Sequence, residues 1–426
     1  FHLNETLDLT GDNQSIPPRY MKTKKFRIGL LGRIIIAIAA GILTGLIAPE
    51  WLARICATFN AIFSQFLGFI IPLIIVGFVT PAIADVGSRA GKLLVATAVL
   101  AYTATFFAGL LAYLTGAVAF PWLMGGEENV AAVDNPAAPA PYFTVDIPPL
   151  MGVMTALVLS FMLGLGIAFL KSNSMRGFFD ELRTIVSKTI SVAIIPLLPF
   201  YIFGIFLDMT VQGQVAIVLV TFAKVIAVIF LLHIFILVLQ YGIAALFNRR
   251  NPFKMLRTML PAYFTALGTQ SSAATIPVTL KQTVQLGVDE DVAGFTVPLC
   301  ATIHMSGSAL KITACALAIC VMHGQPHDLG LFVNFVGMLG ITMIAAPGIP
   351  GGAIMASLGL LSTILGFDKE MIALMIALYI AMDSFGTACN VTGDGALAVI
   401  LDHFFGRRRS RTAAVSDRAG AHDLNH

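Results

Sequence analysis

Runs of apolar residues near 28–48, 57–85, 91–122, 149–170, 185–208, 213–247, 290–322 and 370–404 each reach or exceed the ~20 residues that carry a helix across a bilayer. They are too long and continuous for barrel strands. Composition agrees. The chain is 57% hydrophobic and 12% charged, against about 25% charged in soluble domains. The expectation is an all-α polytopic membrane protein surrounded by membrane lipid. A net charge of +3 is too small to suggest nucleic acid as a partner. Cys56, Cys300, Cys315, Cys320 and Cys389 sit in or beside apolar segments without metal-ligand spacing and are read as small hydrophobes.

Two further apolar segments are interrupted: 255–285 by "GTQSSAATIP" and 330–366 by "APGIPGG". Irregular backbone at membrane depth survives only where protein or a water-filled cavity satisfies it. Both segments are therefore read as re-entrant hairpins. Basic clusters lie at 21–27, 89–92, 171–188, 248–257 and 406–411, and the loop 125–141 carries acids without Lys or Arg. The positive-inside rule then gives eight transmembrane helices and cytoplasmic termini. The two hairpins open from opposite sides, an inverted repeat of the kind that builds secondary transporters. Residues 1–20 are read as an extension outside the fold, with a natural start at Met21, and no cleavable signal stands out. Residues 406–426 are read as a cytoplasmic tail and the location as a cell membrane, a bacterial inner membrane.

The chemistry concentrates in "AMDSFGTACNVTGD" (381–394). At 100° per residue, Thr387, Asn390 and Asp394 fall about 40°, −20° and 20° from Asp383, one stripe about 16 Å long. Carboxylates inside a membrane mark pathways or ligands by default; the plainer reading is a helix contact with paired or neutralised acids. Unpaired, they call for cations: an ammonium group or alkali ions, which prefer oxygen ligands. "TQSSAATIP" (269–277) offers Ser271, Ser272 and free N–H groups at a helix break, suited to a carboxylate, although a Ser-rich turn reads the same way. "APGIPGGA" (346–353), with Ile349, permits close backbone approach. Together they suggest a zwitterion held by hydroxyls and backbone at one end and by Asp383 at the other.

The order "TQSSAATIP", "PLCATIHMSGSAL" (298–310), "GIPGGAIM", "DSFGTACNVTGD" resembles the dicarboxylate/amino acid:cation symporter family, the glutamate-transporter homologues. "RRNPFKMLR" and "DIPPLMGVMTALV" (146–158) extend the likeness over most of residues 25–405. The resemblance implies a homotrimer with elevator-type transport. A fixed scaffold would hold the spans at 28–85 and 149–208. A mobile domain would hold the spans at 91–122, 213–247, 290–322 and 370–404 and both hairpins, the second hairpin serving as outer gate. It also implies roles. Asp383 would hold a substrate amino group, and Ser272 with the nearby backbone its carboxylate. Ser308, Thr387 and Asn390 would make further substrate contacts. Asp394 would ligate Na+ with Asn390 and main-chain oxygens at Cys300 and His304, and Thr302 and Met305 would contribute main-chain ligands to a second Na+ site.

Departures from the pattern sharpen the expectation. Acidic-substrate members carry Arg four residues before this Asn, where this chain has Gly386. Dicarboxylate carriers lack the amino-binding Asp, which is present here as Asp383. With no fixed cation at Gly386, a side-chain carboxylate would face Asp383 and Asp394 unpaired. The expected substrate is a small neutral amino acid such as serine, threonine or alanine; an acidic amino acid or dicarboxylate is the alternative. The family's N-M-D-G-T reads His304-Met305-Ser306-Gly307-Ser308 here, so fewer than three Na+ sites are expected. His304 is a candidate for carrying H+ and Lys311 for replacing an ion by a fixed charge; a core histidine and a snorkelling or acid-paired lysine are the plainer readings. An ion channel would need a continuous polar pore, and an enzyme a nucleophile–base pair or metal motif that is not seen. His323 and His327 are read as loop residues. No nucleotide-binding loop of the G-x-x-x-x-G-K-[ST] type occurs, so gradients or exchange must supply the energy.

Overall fold

The computed structural model describes residues 29–88, 91–124, 139–170, 173–344, 346 and 350–406. The stretch 1–28, most of the acidic loop, Ile349 and the tail beyond residue 406 lie outside the described residues. Among the described residues the regular structure is all helical: α1 Leu30–Gly45, α2 Glu50–Ser88, α3 Lys92–Met124, α4 Val153–Leu170, α5 Asn173–Thr189, α6 Ile195–Val211, α7 Val215–Asn248, α8 Pro252–Thr269, α9 Ser272–Gln285, α10 Glu290–Ile303, α11 Ser306–Met322, α12 Leu329–Ile344, α13 Gly352–Ile364, α14 Lys369–Ala381 and α15 Asp383–Phe405. A π-helical turn, Ile190–Ile194, joins α5 to α6.

Five described helical runs are long and apolar enough to cross a membrane, or six if α14 and α15, bent by 61°, count as one. Length and hydropathy alone therefore mark fewer spans than the expected eight, because α1 and α4 are apolar but short. The run expected at 185–208 starts earlier, at Asn173. Its first part, α5, is amphipathic: Phe179 and Val186 are buried while its charges lie outside, a pattern that a hydropathy window averages away.

Two expected continuous spans are broken. α10 ends at Ile303; His304 (φ −97°, ψ 106°) and Met305 (φ −129°, ψ 44°) leave helical geometry before α11 begins. The last span breaks at Met382 (φ −114°, ψ 11°). The segments read as hairpins are each two helices with an interrupted tip. At the first tip Gln270 is left-handed (φ 54°) and Ser271 is extended, its hydroxyl accepting from Ala274 N–H as an N-cap. The second turns into α13 through Gly351 at φ 74°, a conformation that glycine adopts without a Cβ penalty.

Two packing groups result. α1 lies on α6, and α2 on α4, α5 and α6. A Cβ at Gly41 would come within 2.6 Å of the Phe203 carbonyl oxygen, so the absent side chain is what lets α1 approach α6. In the other group α15 packs on α7, α8, α9, α10 and α11, and α11 also on α3. α13 and α14 reach across to α2 and to α1 and α6. Outer faces carry exposed Leu46, Ile47, Trp122, Phe169 and Leu246, a surface suited to lipid. α11 and α15 are the reverse case, buried on nearly every side, which is why polar groups on them must find partners inside the protein.

Candidate substrate and ion site

The break between α10 and α11 faces the stripe on α15, and the two run antiparallel, so their polar residues pair in reverse order. Nearest the start of α15, Lys311 Nζ lies 3.2 Å from Asp383 Oδ1. In the middle, the N–H groups of Gly307 and Ser308 donate to Asn390 Oδ1 at 2.8 and 3.2 Å, and Asn390 Nδ2 donates to Ser308 Oγ at 3.0 Å. These are first-turn N–H groups of α11, which have no acceptor within their own helix; Asn390 caps them from the facing one. At the far end His304 Nδ1 meets Asp394 Oδ1 at 2.8 Å.

Asp383 stands where the hairpins converge. Its Oδ2 accepts from Gly351 N–H of the second tip at 2.8 Å, and its neighbour Ser384 accepts from Gln270 Nε2 of the first at 2.7 Å. The Thr387 hydroxyl donates to the Asp383 carbonyl within its own helix at 2.9 Å. Ser272 is buried beside the N-cap Ser271.

The fold brings Lys311, read from the sequence as a fixed charge or an acid-paired lysine, to the place that Gly386 left without a cation. Lys311 is fully buried, with Nζ 3.4 Å from the Tyr379 ring centroid in a cation–π contact. A Cβ built at Gly386 would lie 2.9 Å from that Nζ. The space opened by Gly386 therefore holds the Lys311 ammonium group, and the argument that no fixed cation stands there is corrected. The lysine comes from the facing helix, so local sequence around Gly386 could not reveal it.

The other end is arranged differently. For Na+ at Asp394 the implied oxygens belong to Asp394, Asn390, Cys300 and His304. As arranged, Asp394 Oδ1 accepts from the His304 ring, Asn390 Oδ1 accepts two N–H groups, and the Cys300 carbonyl accepts His304 N–H at 2.8 Å. The two side-chain oxygens named here face protein partners, so a sodium ion at this position would have to displace the His304 ring from Asp394 Oδ1. Thr302 is exposed, its hydroxyl donating to the Leu299 carbonyl at 2.7 Å, and Met305 N–H donates to Thr105 Oγ1 at 3.2 Å. Among the described residues no cluster of three or more His, Cys, Asp or Glu side chains is placed to hold a metal.

Several participants escaped the sequence reading. Gln240 Nε2 donates to Ser306 Oγ at 3.1 Å, and His233 Nε2 contacts the Gly307 carbonyl at 3.2 Å. Gln240 Oε1 and the His304 ring both converge on Gly393, where a Cβ would come within 2.6 and 2.7 Å of them. The signal was present: His233 and Gln240 lie seven apart in a largely apolar span, hence on one helix face. Gln270 and Gly351 lie within the interrupted stretches already singled out at 269–277 and 346–353, whereas Tyr379 gave no such signal.

Residues 30–404 match the sodium:dicarboxylate symporter family. Among curated proteins, excitatory amino acid transporter 1 of Rattus norvegicus is 31% identical over 238 residues, 55% of this chain and 43% of that protein. Excitatory amino acid transporter 4 of Mus musculus is 31% identical over 241 residues, 55% of this chain and 42% of that protein. Excitatory amino acid transporter 2 of Homo sapiens is 36% identical over 157 residues, 37% of this chain and 27% of that protein. Each alignment spans less than half the length of the relative it matches.

Proposed function

This chain belongs to the sodium:dicarboxylate symporter family, and on that premise we propose that it is a cation-coupled secondary transporter of a small neutral amino acid such as serine, threonine or alanine. One observation carries the reading: Asp383 is a buried carboxylate held between the tips of two helical hairpins, with one oxygen on Lys311 and the other on Gly351 N–H. A carboxylate so placed suits an ammonium group. The start of α9 at Ser271 and Ser272 suits the substrate's carboxylate. Asp383 and Lys311 sum to zero charge, so a zwitterion with an uncharged side chain leaves the buried site balanced, whereas an additional carboxylate does not.

A second reading has its own observation. Lys311 Nζ fills the space at Gly386, and once off Asp383 it is able to pair a side-chain carboxylate. That favours an acidic amino acid as the second reading. Uptake of radiolabelled serine, alanine and aspartate into proteoliposomes, with sodium and proton gradients imposed separately, decides between them. Serine or alanine uptake is expected. Aspartate uptake with neither of the others overturns the neutral reading.

Coupling is read as sodium, with fewer than three sites, and H+ as the other candidate; His304 on Asp394 supports the lower count by engaging an oxygen that sodium would use. The group α1, α2, α4, α5 and α6 is read as the scaffold of an elevator in a homotrimer. The group holding α3, α7, α10, α11, α14, α15 and both hairpins is read as its moving part. The heavier packing within each group supports this division, with α13 and α14 bridging to α1, α2 and α6.

A further inference from the structure

Lys311 is unusual among the buried groups. It is a long cationic side chain with no exposure, and it reaches the very oxygen that a substrate ammonium group needs. Both oxygens of Asp383 are engaged, one by Lys311 Nζ and one by Gly351 N–H. Three features give the ammonium group a seat. The Tyr379 ring lies 3.4 Å from Nζ and keeps a desolvated cation favourable. Gly386 has no side chain where a Cβ would crowd Nζ at 2.9 Å. The Asp383 carboxylate balances the charge. A bare buried carboxylate is costly, so Asp383 stays under Gly351 N–H at lower cost when a cation is already there.

We propose that Lys311 is a tethered competitor for the substrate: its ammonium group holds Asp383 in the empty protein and yields that oxygen to the amino group of an incoming amino acid. The inference rests on the assignment of Asp383 to the substrate's amino group and deepens it. Two consequences follow from one displacement. Substrate affinity is lowered by the competition. The empty protein is charge-balanced at Asp383 without a bound ion there, so it closes and returns across the membrane without cargo at that acid. Lys311 is thus a positioning residue that acts through Asp383. A lysine serving only to support packing does neither.

The test uses L-serine and full-length protein. Wild-type serine uptake is measured first, and its absence counts against the neutral-substrate reading, separately from this inference. In Lys311→Met, serine is expected to bind at least about tenfold more tightly. Net serine uptake into serine-free vesicles should fall at least about tenfold, while exchange against internal serine stays within about threefold. Gly386→Ala retains the lysine but crowds its seat; it should move both readouts in the same direction by a smaller factor, and it carries the test if Lys311→Met does not fold. Weaker or unchanged binding, or net uptake and exchange changing together, overturns the proposal. Weaker binding would place Lys311 on the substrate's carboxylate instead.

Discussion

The two ends of the α15 stripe hold the same side chain in opposite situations. Asp383 accepts from the second hairpin tip while its neighbour Ser384 accepts from the first, and it is paired with a lysine on a long flexible stem. Asp394 lies farther along α15, against a histidine at a helix break, with Gln240 of α7 beside the adjoining Gly393. One end sets a lysine and a hairpin N–H on the acid; the other sets a histidine from a helix break on it. Two acids on one stripe thus stand with different partners, a lysine at Asp383 and a histidine at Asp394.

The sharpest way to break this comparison is Asp383→Asn. It removes the charge from the carboxylate and strands the buried Lys311, so amino acid affinity should fall at least about a hundredfold. Retained affinity, measured by direct binding, would strip Asp383 of its assigned role. A smaller effect is expected at the other end. His304→Asn frees Asp394 Oδ1 for a cation, and the sodium dependence of uptake should strengthen, by about tenfold in half-saturation. If the sodium and pH dependence of uptake both stay as in the wild type, the ring plays no part in coupling. The mildest expected change is Gly351→Ala. Its left-handed backbone (φ 74°) becomes strained by about 1 kcal/mol, which loosens the N–H contact to Asp383. A several-fold loss of affinity with unchanged sodium dependence would assign the second tip to the Asp383 end alone. A change in sodium dependence of equal size would join the two ends.

Much of this was legible along the chain. A run of apolar residues states its own membrane depth, because the cost of burying a polar group in lipid is local. The stripe was legible for the same reason: Asp383, Thr387, Asn390 and Asp394 share one helix, and helical periodicity places them on one face. The interruptions at 269–277 and 346–353 announced themselves by glycine, proline and serine. The break at His304–Met305 did not, since neither residue is a helix breaker by type; it persists because Thr105 and Asn390 take up N–H groups there.

Partnership was the part that stayed hidden. Lys311 and Asp383 are 72 positions apart, and His304 and Asp394 are 90 apart. No periodicity links residues at such separations. Their pairing follows from two buried helices lying antiparallel, which sets which polar groups must satisfy one another once water is excluded. Gly386 shows the difference most directly. Read along the chain it is a missing arginine and hence a missing charge. In the folded protein it is the gap into which a lysine from the neighbouring helix brings that charge back, because packing, unlike sequence, can fill a space from either side.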